Sequence, residues 1–309
     1  MKTKKYLSID ELINTIKNKG ILIGNEDEVR TILENNNYYY IMGYKFAFKN
    51  SKNEYRKNTL FKDIYSLYIF DKLLKLIILE PILEIEQKLK TIYTNNYCTR
   101  YGYKNKEILD ANNYDTTNKY SNNILNTLEK QLNDFGNNNR AVLFYKNKYK
   151  FVPLWVYMKI LSFGIVRDLF YISKPSDKEY ITKKLTKENV SSGDIINILR
   201  LLVRIRNICC HDDILLSFVD DKLGIKNTKY HELFDLKRDV NGNIIQGKKD
   251  LFAILISIKL FISKNDFSIF IRKISNLIDA YDKEIGSLTR KQLLDIMHLP
   301  DNFDLLAEI

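Results

Sequence analysis

From Thr59 onward the apolar residues Ile64, Leu67, Tyr68, Leu74, Ile77, Ile78, Ile82, Ile85, Leu89 and Ile92 recur at helical spacing. That period gathers them on one side of a single long α-helix, a face that must be covered by other elements. Sandwiches and barrels need many tight turns, and tight turns need glycine and proline. With 11 glycines and 4 prolines in 309 residues, the chain has too few of both. The expected fold is all-α, a bundle of long helices joined by polar loops. Thr59 is the expected cap of the long helix, and Pro81 predicts a kink or break inside it.

The remaining elements follow from caps and periodicity. Ser8 and Glu11 form a capping-box pattern before Ile9, Leu12, Ile13 and Ile16, and Gly20 stops that helix. Asn25 or Asp27 caps a second helix that buries Val29, Ile32 and Leu33. The aromatic run 38–48 reads as an extended or turn segment. Its tyrosines either anchor a small N-terminal unit, residues 1–50, on the main helical domain, residues 51–309, or stack on bases from exposed positions. Residues near 94–123, dominated by Asn, Tyr and Lys, read as a polar insertion. Further helices are expected over 121–135, from 152 with Pro153 in the first turn, and after an interruption at Phe163-Gly164 through Tyr171. Others are expected from Ser192 or Asp194 through Arg206, and over 249–262 and 266–285. Asn241-Gly242 marks a turn.

Lysine and arginine number 49 against 38 acidic residues, a net charge of +11. That balance favours an acidic partner, nucleic acid first, although a composition crowded with Asn, Lys, Ile and Tyr accounts for part of it. Three cysteines, Cys98, Cys209 and Cys210, exclude a disulfide scaffold. Three histidines and no CxxC pair leave no zinc pattern, so neither metal nor cofactor is expected. The most apolar stretch, residues 251–262, contains Lys259 and is too short to span a bilayer. The basic start runs into Leu7-Ser-Ile-Asp-Glu11, not into an apolar signal segment. The expectation is a cytoplasmic protein without membrane contact.

One cluster concentrates chemistry at the end of an apolar helix: Arg204-Ile-Arg206-Asn207-Ile-Cys-Cys-His211-Asp212-Asp213. A histidine moves protons near neutral pH, and an arginine fork grips phosphate. These residue types suit RNA transesterification, in which a ribose 2′-hydroxyl attacks the neighbouring phosphate. On a helical wheel Arg200, Arg204, Asn207 and His211 share a stripe within about 60°. Arg206 lies about 140° from His211, so the two meet only through a helix break, a long reach or a second subunit. A structural reading stands beside this one. In it Asn207 is a cap, His211 a cation at a helix C-terminus, Arg206 a partner of Asp212 or Asp213, and the vicinal cysteines small core residues.

The run Arg206-Asn207-Ile-Cys-Cys-His211 resembles the Arg-x4-6-His signature of the HEPN superfamily, in its Arg-Asn-x-x-x-His form. An ordered set of segments is similar to the Abi-like (AbiD/AbiF-type) abortive-infection proteins of bacterial phage defence. These are Gly20-Ile-Leu-Ile with Asp27, Asn37-Tyr-Tyr-Tyr40 to Gly43-Tyr44 and Phe48, and Thr59-Leu-Phe-Lys-Asp-Ile64. Leu67-Tyr-Ile-Phe-Asp71, Glu84-Ile-Glu86-Gln-Lys-Leu-Lys90 and Pro153-Leu-Trp155 to Phe163-Gly164 continue the set. The chain departs from the pattern at Lys75, where arginine is frequent, and at Asp212-Asp213, where basic or aromatic residues are frequent.

The resemblance implies a HEPN-like helical bundle that pairs as a homodimer and cleaves RNA without metal, leaving a 2′,3′-cyclic phosphate. It implies that His211 transfers protons, Arg206 clamps the phosphate and Asn207 orients. Arg204 and Arg200, from the shared stripe, are added as phosphate contacts. It further implies RNA as substrate and a structured small RNA as regulator. Two alternatives are an inactive RNA-binding HEPN scaffold and, less favoured, a DNA-binding regulator using residues 1–50.

Overall fold

The computed structural model describes residues 5–284 and 288–309, the side chains of Phe135 and Glu284 excepted. Its helices are α1 (Ile9–Asn18), α2 (Glu26–Asn35), α3 (Tyr38–Ile41), α4 (Phe61–Tyr101), α5 (Asn105–Ile108), α6 (Ser121–Gly136) and α7 (Arg140–Tyr149). They continue with α8 (Leu154–Tyr157), α9 (Phe163–Ile172), α10 (Pro175–Leu185), α11 (Ser192–Cys210), α12 (Leu251–Lys259), α13 (Lys264–Glu284) and α14 (Arg290–Ile296). Among the described residues there is no strand or sheet, only isolated β-bridges, so the all-α expectation holds. The expected end of α13 at 285 lies outside the described residues, as do residues 1–4.

The axis of the molecule is α4, 41 residues and about 60 Å long. Helices α9, α10, α11 and α13 pack around it. Its buried face carries Ile64, Leu67, Leu74, Ile78, Ile82, Ile85 and Leu89, the stripe legible in the sequence. Pro81 does not break it. Losing one amide and accepting a ring clash costs about 3 kcal/mol in a helix interior. The buried neighbours Ile78, Ile82 and Ile85 offset that cost, since each contributes about 1.5–3 kcal/mol on burial. Nor does Thr59 cap the helix. Its hydroxyl donates to the Arg56 carbonyl at 2.7 Å, while the Leu60 N–H donates to the Asp63 carboxylate at 2.9 Å.

The N-terminal unit is built on its predicted caps. Glu11 accepts from the Ser8 N–H at 2.7 Å, and Asn25 accepts from the Asp27 and Glu28 amides. Leu22 then pairs with Leu60 in a single parallel bridge. The aromatic run expected to be an extended or turn segment is instead helical, α3 followed by a 3-10 helix over Met42–Phe48. Six β-favouring aromatics obscured a helical period, although Ile41, Met42, Tyr44, Ala47 and Phe48 are all buried. Three helices went unread: α7 and α10, whose turns carry mixed polar and apolar residues with weak periodicity, and the short α14.

Residues 94–123 are divided between two roles. The first eight finish α4, and the tyrosines that follow its axis pack as a ladder, with Tyr93–Tyr97 and Tyr97–Tyr114 ring centroids 5.8 and 5.6 Å apart. Tyr97 and Tyr114 are buried and donate to the Glu107 and Ile108 carbonyls. These tyrosines therefore hold the core and are not a stacking surface, whereas Tyr103 and Tyr120 are exposed.

Of the three histidines, His231 is wholly buried. Its Nδ1 accepts from the Thr228 N–H at 3.0 Å, so Nε2 must carry the proton that bonds the Gly247 carbonyl at 2.8 Å. Gly247 has φ +79°, and a Cβ there would lie 2.9 Å from Phe252 and 3.2 Å from the imidazole. Burial, opposed by the Gly247 and Thr228 bonds, pushes His231 below its ordinary value. The unfolded chain then binds the extra proton first. Stability is full above the ordinary histidine value, about 6.5, and falls as pH drops through it. Urea unfolding between pH 8 and 5.5 will show this loss, and His231→Ala will be less stable at pH 8 but lack that component.

Candidate functional site

Helix α11 starts at a Ser191 cap, whose hydroxyl accepts the Asp194 N–H, and runs unbroken to Cys210. His211 terminates it in extended conformation (φ −120°, ψ 176°), its amide donating to the Asn207 and Ile208 carbonyls. The side chains of Asn207, Cys210 and His211 are exposed there, as are Asp212 and Asp213. Among the described residues, Asn207 and His211 have no side-chain hydrogen bond or ion pair. The structural readings of Asn207 as a side-chain cap and of Arg206 as a partner of Asp212 or Asp213 are thus not what the molecule adopts.

The other stripe residues turn to separate neighbours. Arg200 stacks its guanidinium over Tyr171, 4.9 Å from the ring centre, and donates to Asn197 at 3.2 Å. Arg204 lies 2.9 Å from the buried Asp220 carboxylate. Burial pushes Asp220 up, yet the Leu223 and Lys222 amides and then Arg204 outweigh it, leaving the carboxyl below its usual range. That pair ties the loop after the motif to α11, a structural use that still leaves half of the Arg204 side chain in solvent.

Arg206 points away from His211, as the wheel requires, toward α4. Its Nε is 3.8 Å from the Glu86 carboxylate, too long for a hydrogen bond. Glu86 is itself paired with Lys90 at 2.7 Å. Both the Arg206 Nε and the nearer Glu86 oxygen are buried without a hydrogen-bond partner. The contact is Coulombic and loosely held, and the rest of the guanidinium keeps its donors unspent. Glu86 and Lys90 were legible only as an i,i+4 pair inside one of the segments carrying the resemblance.

What fixes the helix end is Asp71, a fully buried carboxylate on α4. It accepts from the Leu216 N–H at 2.7 Å, the Leu215 N–H at 3.2 Å and the Tyr44 hydroxyl at 2.6 Å. The Lys75 ammonium stands 3.2 Å away. Burial raises the Asp71 carboxyl above the usual carboxylate range, against the pull of Lys75, Tyr44 and Leu215. Lys75, noted as a departure from the pattern, thus has its role here, as the counter-charge to Asp71. Cys209 lies beside this pair, and burial, with Asp71 adding to it, pushes its thiol up to about 12. Such a thiol is not a nucleophile at neutral pH.

The fold and this helix end define an all-α protein whose exposed polar cluster terminates a core helix packed on a long central one. A family model of Abi-like proteins matches residues 31–217, more than half of the chain and ending just past the Asp71 anchor, and the chain belongs to that family. Membership gives the coarse function, abortive-infection defence against phage. No curated protein and no solved structure matches the chain. No group of three or more metal-ligating side chains occurs among the described residues, and none of their helices is long and apolar enough to cross a membrane.

Asp71→Ala will cost about 3–5 kcal/mol in urea unfolding, because Lys75 is left as a buried unpaired charge. Tyr44→Phe, which removes one donor and leaves the carboxylate its others, will cost about 1–2 kcal/mol.

Proposed function

We propose that this protein is a HEPN-type, metal-independent endoribonuclease acting in abortive infection as a homodimer. The observation that carries the reading is the state of the motif side chains. Among the described residues Asn207 and His211 stand exposed and unpartnered at an anchored helix end, and Arg206 has only a long contact to Glu86. By contrast Arg204 stands 2.9 Å from the buried Asp220 carboxylate and Arg200 lies over the Tyr171 ring.

The dimer answers the separation of Arg206 from His211 within one chain. Leu76 and Leu83, 64% and 46% exposed, lie within about 80° of Glu86 on the α4 wheel. An apolar stripe beside Arg206 gives a second copy a place to pack and brings two motif helices together. In the resulting cleft the ribose 2′-oxygen attacks phosphorus and surrenders its proton to His211. The bond to the 5′-oxygen breaks, and His211 of the partner subunit protonates that leaving oxygen. The products are a 2′,3′-cyclic phosphate and a 5′-hydroxyl end. Arg206 neutralises the charge that builds on the phosphoryl oxygens, Asn207 orients the imidazole, and Arg204 and Arg200 contact flanking phosphates. A structured small RNA is a fitting restraint for such a toxin.

A second reading has its own support, the exposed Asp212 and Asp213 directly after His211, which repel phosphate. It makes the protein an inactive RNA-binding scaffold. RNA-end mapping with growth toxicity separates the two. Wild type will accumulate 2′,3′-cyclic ends, and Arg206→Ala and His211→Ala will lower their yield about a hundredfold or more. Equal behaviour of all three, with RNA bound and uncut, establishes the scaffold. Leu76→Glu with Leu83→Glu will shift the protein from dimer to monomer in light scattering and abolish cleavage together.

A further inference from the structure

Six lysines line one cleft on the far side of α4 from Arg206: Lys88, Lys184, Lys187, Lys229, Lys259 and Lys264. Lys88 and Glu86 leave α4 about 200° apart, so this cleft and the motif cannot be one site. Its volume is about 790 Å³, within the range of small-molecule pockets. The only carboxylate side chain on its wall is Glu188, already engaged by Lys229 at 2.8 Å and the Tyr230 hydroxyl at 2.8 Å.

Part of this charge has a structural use. Lys88 donates to the Leu185 and Phe261 carbonyls at 2.8 and 2.9 Å, closing the ends of α10 and α12 together. Lys259 donates to the Ile309 carbonyl oxygen and lies over the Phe267 ring. Two helix C-termini contribute about half a negative charge each. With Glu188 and the Ile309 oxygen they offset part of the positive charge, chiefly on Lys88, Lys229 and Lys259. Lys187 and Lys264 are exposed and have no partner among the described residues. The lysines feel one another: burial and then Lys187 lower the Lys88 amine, and burial and then Lys264 lower Lys259. Like charges collected in one concavity lower stability unless an anion fills it.

The floor is apolar. Leu233, 52% exposed, stands with Ile262 and Phe261 against the lysine rim. A bare phosphate, with about two negative charges, leaves both the remaining charge and this floor unused. We propose that the cleft binds a nucleoside polyphosphate, its phosphates against Lys184, Lys187 and Lys264 and its base over Leu233 and Ile262. The site stands apart from the cleavage proposal, since none of its residues belongs to the motif.

Isothermal titration with ATP, with inorganic phosphate and with a short single-stranded RNA tests this on the full chain. ATP will bind, and inorganic phosphate will bind about tenfold more weakly or worse. The double variant Lys187→Glu, Lys264→Glu will weaken ATP by about tenfold or more at an unchanged melting temperature. Leu233→Ser, which removes apolar surface and adds no charge, will weaken ATP while leaving inorganic phosphate unchanged. The proposal is overturned by absence of ATP binding, by ATP affinity indifferent to the lysine pair, or by phosphate binding as tightly as ATP. It is equally overturned if the RNA binds tighter than ATP and loses affinity in the same double variant, which makes the cleft part of an RNA track.

Discussion

A single buried carboxylate organises the molecule. Asp71 takes donors from two distant parts of the chain, Tyr44 before α4 and the amides of Leu215 and Leu216 after the motif, and pairs with Lys75 one turn along its own helix. Withdrawing a carboxylate from water costs several kcal/mol, and only a full set of donors makes that tolerable. Such a cluster adds little to net stability. Its value is that any other arrangement strands a charge in the core, so the orientation of the N-terminal unit and the path of the chain beyond His211 are specified together.

How much of this was legible depends on how local the determining physics is. The caps at Ser8 and Asn25 are decided within three residues, and so is the stop at Gly20. The apolar stripe of α4 was visible because its period survives over many turns. Pro81 and Thr59 misled because both rules describe isolated helices, and here buried neighbours and the Leu22–Leu60 bridge override them. The aromatic run misled because β propensity competes with a short helical period. Asp71 was visible as a letter within a familiar segment, but its donors come from 27 residues before and 145 after. No local pattern encodes that.

The candidate site shows the same division. A wheel drawn from the sequence separates Arg206 from His211, and the structure keeps them apart, with α11 intact to Cys210. What the wheel could not supply was the destination of each arginine. Arg200, Arg204 and Arg206 leave one helix for an aromatic ring, a buried carboxylate and a loosely held ion pair. Equal in composition, they differ in how many of their donors remain to be used. Charge also gathers elsewhere, in the six lysines around the cleft on the side of α4 away from the motif.

The reach of Asp71 has a consequence for how the protein is made. On the ribosome, residue 71 emerges long before residue 216, and α4 can bury its carboxylate only once the later segment arrives. What waits is the carboxylate: 145 residues separate it from its last donor, whereas the motif and that donor leave the ribosome almost together. The helix end that bears the motif is thus the last member of the Asp71 cluster to be made, and it docks on an α4 that is already in place.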